Sequence, residues 1–448
     1  MGLSMSTSSL ACRVGSGAGF AGDRIDPAVR LVQSGEIDTI ALECLAERTL
    51  VPAIKARTDN PHAGFDPRLE RRLTPLLPAA HKKNCRIVSN LGAANPVAAG
   101  EAITKLSYKL GIKGQRVAAL QGDDVMALQS QVKWIRPITG KLIGAHAYLG
   151  CEKISQALEE GAHVVVTGRV ADSALFAAPA RAHLNNLEDA LAGALTVGHL
   201  LECGGQLTGG NYEPIAGANK PPPLSAQDYA QLGYPLAKVY ADGTADISVL
   251  KDAPGIVDAI TCTLQLLYEV HDPARYMTPD LIVDFSNIKF ESIGRNTIRM
   301  TGAKSKGPPP TLKVAGFVEH PGFLVDIEIG FAGEGALARA LNAADVLRYR
   351  LNTWAPDTIS IDVVGLNSVL GAKSKPHRGD PVELRVHISA QCETAMDAQS
   401  VEDEIYSLTL SGPAGGCSVR SEKRNRLEVL DGYIQASSVP SQLIWSQS

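Results

Sequence analysis

The first half of the chain alternates short apolar runs with amphipathic stretches, and that alternation restricts the fold more than any other feature. The runs are 38–45 (DTIALECL), 86–89 (RIVS), 115–120 (QRVAAL) and 163–167 (HVVVT), with a further candidate strand at 141–147. They are apolar nearly throughout, as strands buried on both faces are. Helical stretches of about ten to fifteen residues separate them, which predicts a mainly parallel, doubly wound α/β sheet. Such a sheet gathers the C-terminal ends of its strands on one edge, where open α/β folds bind ligands. The chemically interesting residues fall at those ends: the glycine run 15–22, Glu43 and Cys44, Asn90 and Asn95, Asp123 and Asp124, and Arg169 with Asp172.

The run Arg13-Val14-Gly15-Ser16-Gly17-Ala18-Gly19-Phe20-Ala21-Gly22-Asp23-Arg24 reads as a loop leading into a helix. Asp26 is the expected N-cap and Pro27 the first helical residue. Glycine lets backbone come close to a ligand, so Gly17, Gly19 and Gly22, with Asp23, are candidate anion-binding residues. Their spacing matches the dinucleotide pattern G-x-G-x-x-G, with Glu43 where a ribose-binding acid would stand. Two features argue against a dinucleotide. A cap at Asp26 leaves all three glycines in loop, whereas the dinucleotide motif carries its third glycine in the helix. Asp23 would also repel a pyrophosphate. The run therefore reads as a longer anion-facing loop; a tight structural turn explains it equally well without a ligand.

Gln121-Gly122-Asp123-Asp124 puts two carboxylates at a strand end, where they can divide acid and base roles or hold a divalent cation such as Mg²⁺. An Asp N-cap with a solvated neighbour is the alternative. Arg169, at the end of 163–167, suits bidentate capture of a carboxylate or phosphate; pairing with Asp172 three residues on is the structural alternative. Asn95 precedes Pro96 as N-cap and N1 do. Glu202-Cys203-Gly204-Gly205-Gln206 is the strongest local candidate for covalent or acid–base work. At a helix opening the Cys203 thiol pKa would fall, and His199 shares a helix face with Glu202. Thr208 and Asn211 extend this polar segment. The ten histidines are dispersed, with no H-x-x-x-H and no Cys/His cluster, so no metal ligand set is assigned.

After about residue 235 the texture changes. Strand-like segments at 237–240, 245–250, 281–290, 317–329 (in two pieces broken at Pro321-Gly322), 360–366 and 382–389 accompany helices at 336–352, ending near Trp354, and 394–410. This predicts a mixed α+β domain over 235–448, separated from the α/β domain of 10–220 by a stiff joint at Lys220-Pro221-Pro222-Pro223. Residues 1–9 read as a disordered leader, although Met1-Gly2-Leu3-Ser4-Met5-Ser6 matches a myristoylation pattern. The net charge of −4 leaves no footprint for nucleic acid or an anionic membrane. Eight cysteines without a C-x-x-C fit reduced thiols and a cytoplasmic setting.

Taken together, Gly15 to Arg24, Glu43-Cys44-Leu45-Ala46-Glu47-Arg48-Thr49, Gly122-Asp123-Asp124, Ala147-Tyr148-Leu149-Gly150, Thr167-Gly168-Arg169 with Asp172-Ser173, and Leu201-Glu202-Cys203-Gly204 with Thr208-Gly209-Gly210-Asn211 resemble the acyclic terpene utilisation AtuA family. Later blocks such as Thr263 to Val270 and Gly412-Pro413-Ala414-Gly415-Gly416 agree with it. The resemblance covers nearly the whole chain and implies a place in terpenoid or branched-acid degradation through acyl-CoA intermediates, without assigning roles to residues. The residues themselves suggest an enzyme on a small carboxylate or acyl thioester, of lyase or hydratase type. An acid among Glu43, Asp123 and Glu202 would move a proton next to a carbonyl, with Cys203 as thiol acid or nucleophile. A dinucleotide-dependent oxidoreductase and a non-catalytic subunit needing a partner are the alternatives. A homo-oligomer is the expected assembly.

Overall fold

The computed structural model describes residues 8–185, 187–212, 223–351, 359–371 and 381–448. Residues 1–7 of the expected leader 1–9, Lys220 to Pro222 of the joint that ends at Pro223, and Trp354 lie outside the described residues. The chain divides into two compact units: Met1–Ile135, Gly144–Gly316 and Asp431–Ser448 form one, and Arg136–Ile143 with Phe317–Leu430 the other.

Five parallel strands form the centre of the first unit: β1 (Leu10–Ala18), β2 (Thr39–Leu42), β3 (Arg86–Ser89), β4 (Arg116–Gln121) and β5 (Val164–Thr167). Their spatial order is β1-β2-β3-β5-β4. Every residue of β2 and β5 is buried, which is why they read as continuous apolar runs. The chain advances across the sheet from β1 through β3 to β4, then steps back to insert β5. Crossovers of the usual right hand put Asp26–Ser34, Leu69–Lys83 and Pro96–Lys109 on one face and Glu152–Glu159, before β5, on the other. The helices Asp26–Ser34, Leu69–Lys83 and Pro96–Lys109 pack in sequence on the first face; Asp172–Arg181 and Leu187–Leu201 pack with Glu152–Glu159 on the second.

The parallel core is flanked by antiparallel strands. Pro235–Tyr240 pairs with β1 and is followed outward by Ala245–Val249, Thr297–Thr301 and Lys289–Gly294. Gln442–Gln447 pairs with β4 at the other edge. The sheet is therefore mixed, with ten strands among the described residues. Four strands between 235 and 301 belong to the same sheet as β1, while Tyr276–Met277 and Ile282–Asp284 pair in a separate small sheet, so a domain division between 220 and 235 is not confirmed.

The start of the chain departs from the expected loop. Gly15 and Gly17 lie inside β1, and the turn begins only at Gly19. A Cβ on Gly17 would come 2.9 Å from the Leu42 side chain and 3.0 Å from Ile40. Gly17 lets the large aliphatics of β2 pack across β1, and Gly15 does the same for Ile37 and Leu31, a need of the core rather than of a ligand. The helix Asp26–Ser34 takes Ile25 as its N-cap residue, with no side-chain cap, and Asp26 sits in the first turn. Asn95 does cap Pro96–Lys109, accepting from the Ala98 N–H at 3.3 Å.

In the second unit the strands Glu383–Cys392 and Ile359–Val364 pair antiparallel, and Glu383–Cys392 also pairs with Phe323 to Ala332 of the long strand Thr311–Ala332. That strand is continuous where a break was expected at Pro321-Gly322. Gly322 takes φ +91° there, and the pairing starts at the next residue. The helices Ala336–Leu351 and Ala395–Ser411 bury Ala340, Leu347, Val401 and Ile405 against Ile327, Val386 and Ile388.

Candidate functional site

The turns that leave the five parallel strands converge on one edge, and two of the glycine-rich segments touch there. A Cβ on Gly19 would lie 2.2 Å from the Cys203 carbonyl carbon and 2.5 Å from the Gly204 nitrogen. Only glycine permits this approach, and it seats the turn after β1 on the segment that follows helix Leu187–Leu201. Asp23 closes the turn by accepting the Gly19 N–H at 2.7 Å.

Around that contact lies an acid cluster. Glu43, at the end of β2, is 8% exposed; its Oε1 accepts the Leu45 N–H at 2.8 Å and the Asn90 Nδ2 at 3.0 Å. Burial raises its pKa above the ordinary carboxylate value, against the pull of Arg169, Asn90 and Leu45, and the Glu202 charge adds to the rise. Glu47, four residues on, is pushed up by burial too, but the Tyr148 hydroxyl that donates to it and the Arg169 charge outweigh this, so its pKa is lowered. Two carboxyls beside one guanidinium are thus driven in opposite directions, the pattern that separates a general acid from a permanent anion.

Arg169 is 1% exposed. It donates to the carbonyls of Leu45 and Val170 and to Asp172, and its guanidinium lies over the Tyr148 ring, 4.7 Å from the centroid. The arrangement is the structural Arg–Asp pair rather than an open clamp for a ligand carboxylate. Asp172 keeps 38% of its side-chain surface accessible, and with the half-buried Glu47 and Tyr148 it marks where the cluster reaches solvent.

Glu202 and Cys203 complete the cluster from the other side. Glu202 Oε1 lies 2.8 Å from His199 Nδ1, while its Oε2 is buried without a hydrogen-bond partner. His199 Nε2 lies 3.1 Å from the Leu266 carbonyl, and its ring packs against Tyr276 and Phe285. Burial disfavours a charged His199, but the charge and hydrogen bond of Glu202 outweigh it and raise its pKa. The Cys203 thiol is pushed up by burial and then by the Glu202 charge. It is therefore a protonated group at neutral pH, opposite to the lowered pKa expected of a thiol at a helix opening.

Other candidates stand elsewhere or are engaged. Asp123 is 3% exposed; its Oδ2 accepts the Arg169 N–H and meets His146 Nδ1, both at 2.8 Å. Asp124 pairs with Arg57 at 3.0 Å and, with Asn95 and Gln442, lines a separate cavity of about 670 Å³. Asn95 spends its amide on the carbonyls of Pro61 and Ala63. Thr208 is fully buried and donates to Gly205 and Gly233. Asn211 is exposed, with φ +54°. Gly22 lies beside the Phe20 ring, and Gly17 is in the core. Among the described residues, no group of three His, Cys, Asp or Glu side chains is placed to hold a metal ion.

No helix among the described residues is long and apolar enough to cross a membrane. No curated protein and no solved structure matches the chain. The family model of the acyclic terpene utilisation family protein AtuA matches residues 12–445, from β1 to the last strand and through every segment of the acid cluster, and the chain belongs to that family.

Proposed function

We propose that the protein is an enzyme of acyclic terpene utilisation that moves a proton on the carbon next to the carbonyl of a small carboxylate or acyl thioester, in a lyase or hydratase reaction. The observation that carries this reading is the buried Glu202 Oε2 without a hydrogen-bond partner, in a cluster where Glu43 and Glu47 stand beside Arg169; the opposite pKa directions of those two carboxyls support it. In a dehydration, Glu202 Oε2 takes the α-proton as the C–H bond breaks, and the electron pair moves to the carbonyl oxygen. The protonated Cys203 thiol donates to that developing enolate oxygen. The pair then returns to form the double bond as the β-carbon–oxygen bond breaks, and the Glu43 carboxyl proton leaves with the hydroxyl as water. Hydration is the same sequence reversed.

The test is solvent deuterium exchange. Acyl thioesters and free acids of linear and branched chains are incubated with the protein in D₂O and read by mass spectrometry. Incorporation at the α-carbon that is lost in Glu202→Gln is the expected result. No incorporation with any of them, or unchanged incorporation in Glu202→Gln, overturns the reading.

A further inference from the structure

Beside the turn after β1 lies a second polar site, built by the helix Leu69–Lys83. Arg68, Arg71 and Arg72 are spaced i, i+3, i+4 and so lie along one side of that helix and the residue before it. All three line a cavity of about 350 Å³ together with Gly22, the N-cap residue Ile25 and Asp26, the first residue of the helix Asp26–Ser34.

Arg72 is the informative residue. It is 2% exposed, and its Nη2 donates to the Ala21 carbonyl at 2.7 Å. Its Nε and Nη1 are buried with no hydrogen-bond partner. A guanidinium cannot shed its charge, and leaving buried N–H groups of an ion unpaired is among the costlier arrangements in a protein. An oxyanion in the cavity would satisfy them. The N-terminus of Asp26–Ser34 opens on the same space and adds its positive end.

The opposing charges fit a multiply charged group. Asp23 and Asp26 also line the cavity, but Asp23 is committed to the Gly19 N–H. Asp66 stands 3.9 Å from Arg68, and Arg24 is engaged on the Ala230 carbonyl. With Arg24 counted, four arginines stand against Asp23, Asp26 and Asp66 and leave one positive charge over, and the fork geometry of arginine matches phosphate oxygens.

We infer that this cavity is a phosphate-binding site, with Arg72 as its buried anchor and Arg71 and Arg68 at its mouth. It stands apart from the acid–base reading and holds whatever the reaction class. The ligand is free phosphate or the phosphate of a larger molecule.

The experiment measures binding to the full chain by calorimetry and thermal shift at matched ionic strength. The probes are inorganic phosphate, phenyl phosphate and acetate. Saturable phosphate binding at millimolar concentration or tighter, with a raised melting temperature, is expected. Arg72→Gln should abolish it, and the exposed Arg71→Gln should weaken it at least about fivefold while leaving the fold intact. Tighter binding of phenyl phosphate assigns an esterified phosphate; equal or weaker binding assigns the free ion. If phosphate gives no saturable binding, if acetate binds as well, or if Arg71→Gln and a folded Arg72→Gln both bind phosphate as the parent does, the inference fails.

Discussion

Glu202 Oε1 lies 2.8 Å from His199 Nδ1, while the other ring nitrogen, Nε2, faces the Leu266 carbonyl at 3.1 Å. A carbonyl only accepts, so Nε2 carries a proton, and one further proton is shared between Nδ1 and Glu202. The second carboxylate oxygen, Oε2, is left buried and unpartnered. With the shared proton on His199, Glu202 is a carboxylate whose Oε2, turned away from the imidazole, can accept a proton from a substrate.

The first prediction concerns this pair. Glu202→Gln should lower kcat by about 100-fold or more, the range typical of a lost general base. It should also lower the His199 pKa, because the Glu202 charge raises it against burial. An NMR titration of His199 reads this directly. An unmoved His199 titration in the variant would show that the two groups are not coupled.

A second prediction separates Asp123 from the chemistry. Its carboxylate satisfies the Arg169 N–H and His146, with side chains 4% and 3% exposed. Asp123→Ala breaks a buried pair and should cost about 3 kcal/mol of stability. Asp123→Asn, which keeps a polar group in place, should recover a good part of it and retain turnover. Urea unfolding and activity are measured on both. A stable but inactive Asp123→Ala would return Asp123 to the catalytic set.

The parallel core was legible because strands buried on both faces are apolar nearly throughout, as β2 and β5 are. Glu43, Arg169 and Asp172 share an edge for a related reason: a parallel sheet brings strand ends to one edge whatever its crossovers; Glu202 and Cys203 follow a helix and stood out through their glycine-rich segment instead. β1 misled because glycine permits a loop and also lets a neighbouring strand's Ile40 and Leu42 pack close, and composition does not distinguish the two. The placement of the antiparallel strands after 235 was hidden because Pro235–Tyr240 pairs with β1 across more than 200 residues of chain and the next strands add outward from it. Glu47, Tyr148 and Arg72 owe their interest to tertiary partners. Only the spacing of Arg68, Arg71 and Arg72 offered a local signal, a basic helix side ordinarily read as solvated.

A third prediction follows from the close approach of Gly19 to Cys203 and Gly204. Gly19→Ala forces a methyl into backbone atoms 2.2 to 2.6 Å away. These atoms belong to the segment carrying Glu202 and Cys203, so the cluster itself must shift. Overpacking of this kind costs about 1–3 kcal/mol. Activity should fall further than stability does. Gly204→Ala, whose Cβ would meet Gly19 N at 3.0 Å and whose φ is +57°, should behave similarly. Normal kinetics in Gly19→Ala would mean the two segments act independently.

The last prediction turns on the sign of the Glu43 shift. Its folded-state pKa is raised from 4.5, chiefly by burial. As pH climbs past that value the unfolded chain gives up its proton first, while the folded protein still holds it. Stability therefore declines with rising pH until the folded pKa is passed, and then levels off. Glu43→Gln removes this dependence, and its amide oxygen can still accept from Leu45 and Asn90. The variant should gain in melting temperature relative to the parent as pH goes from about 4 to about 8, while losing activity by about 100-fold or more. Thermal unfolding across that range is the measurement. A gap that stays constant with pH would mean that Glu43 ionises as an ordinary surface carboxylate, and the assignment of the buried acid would pass to another residue.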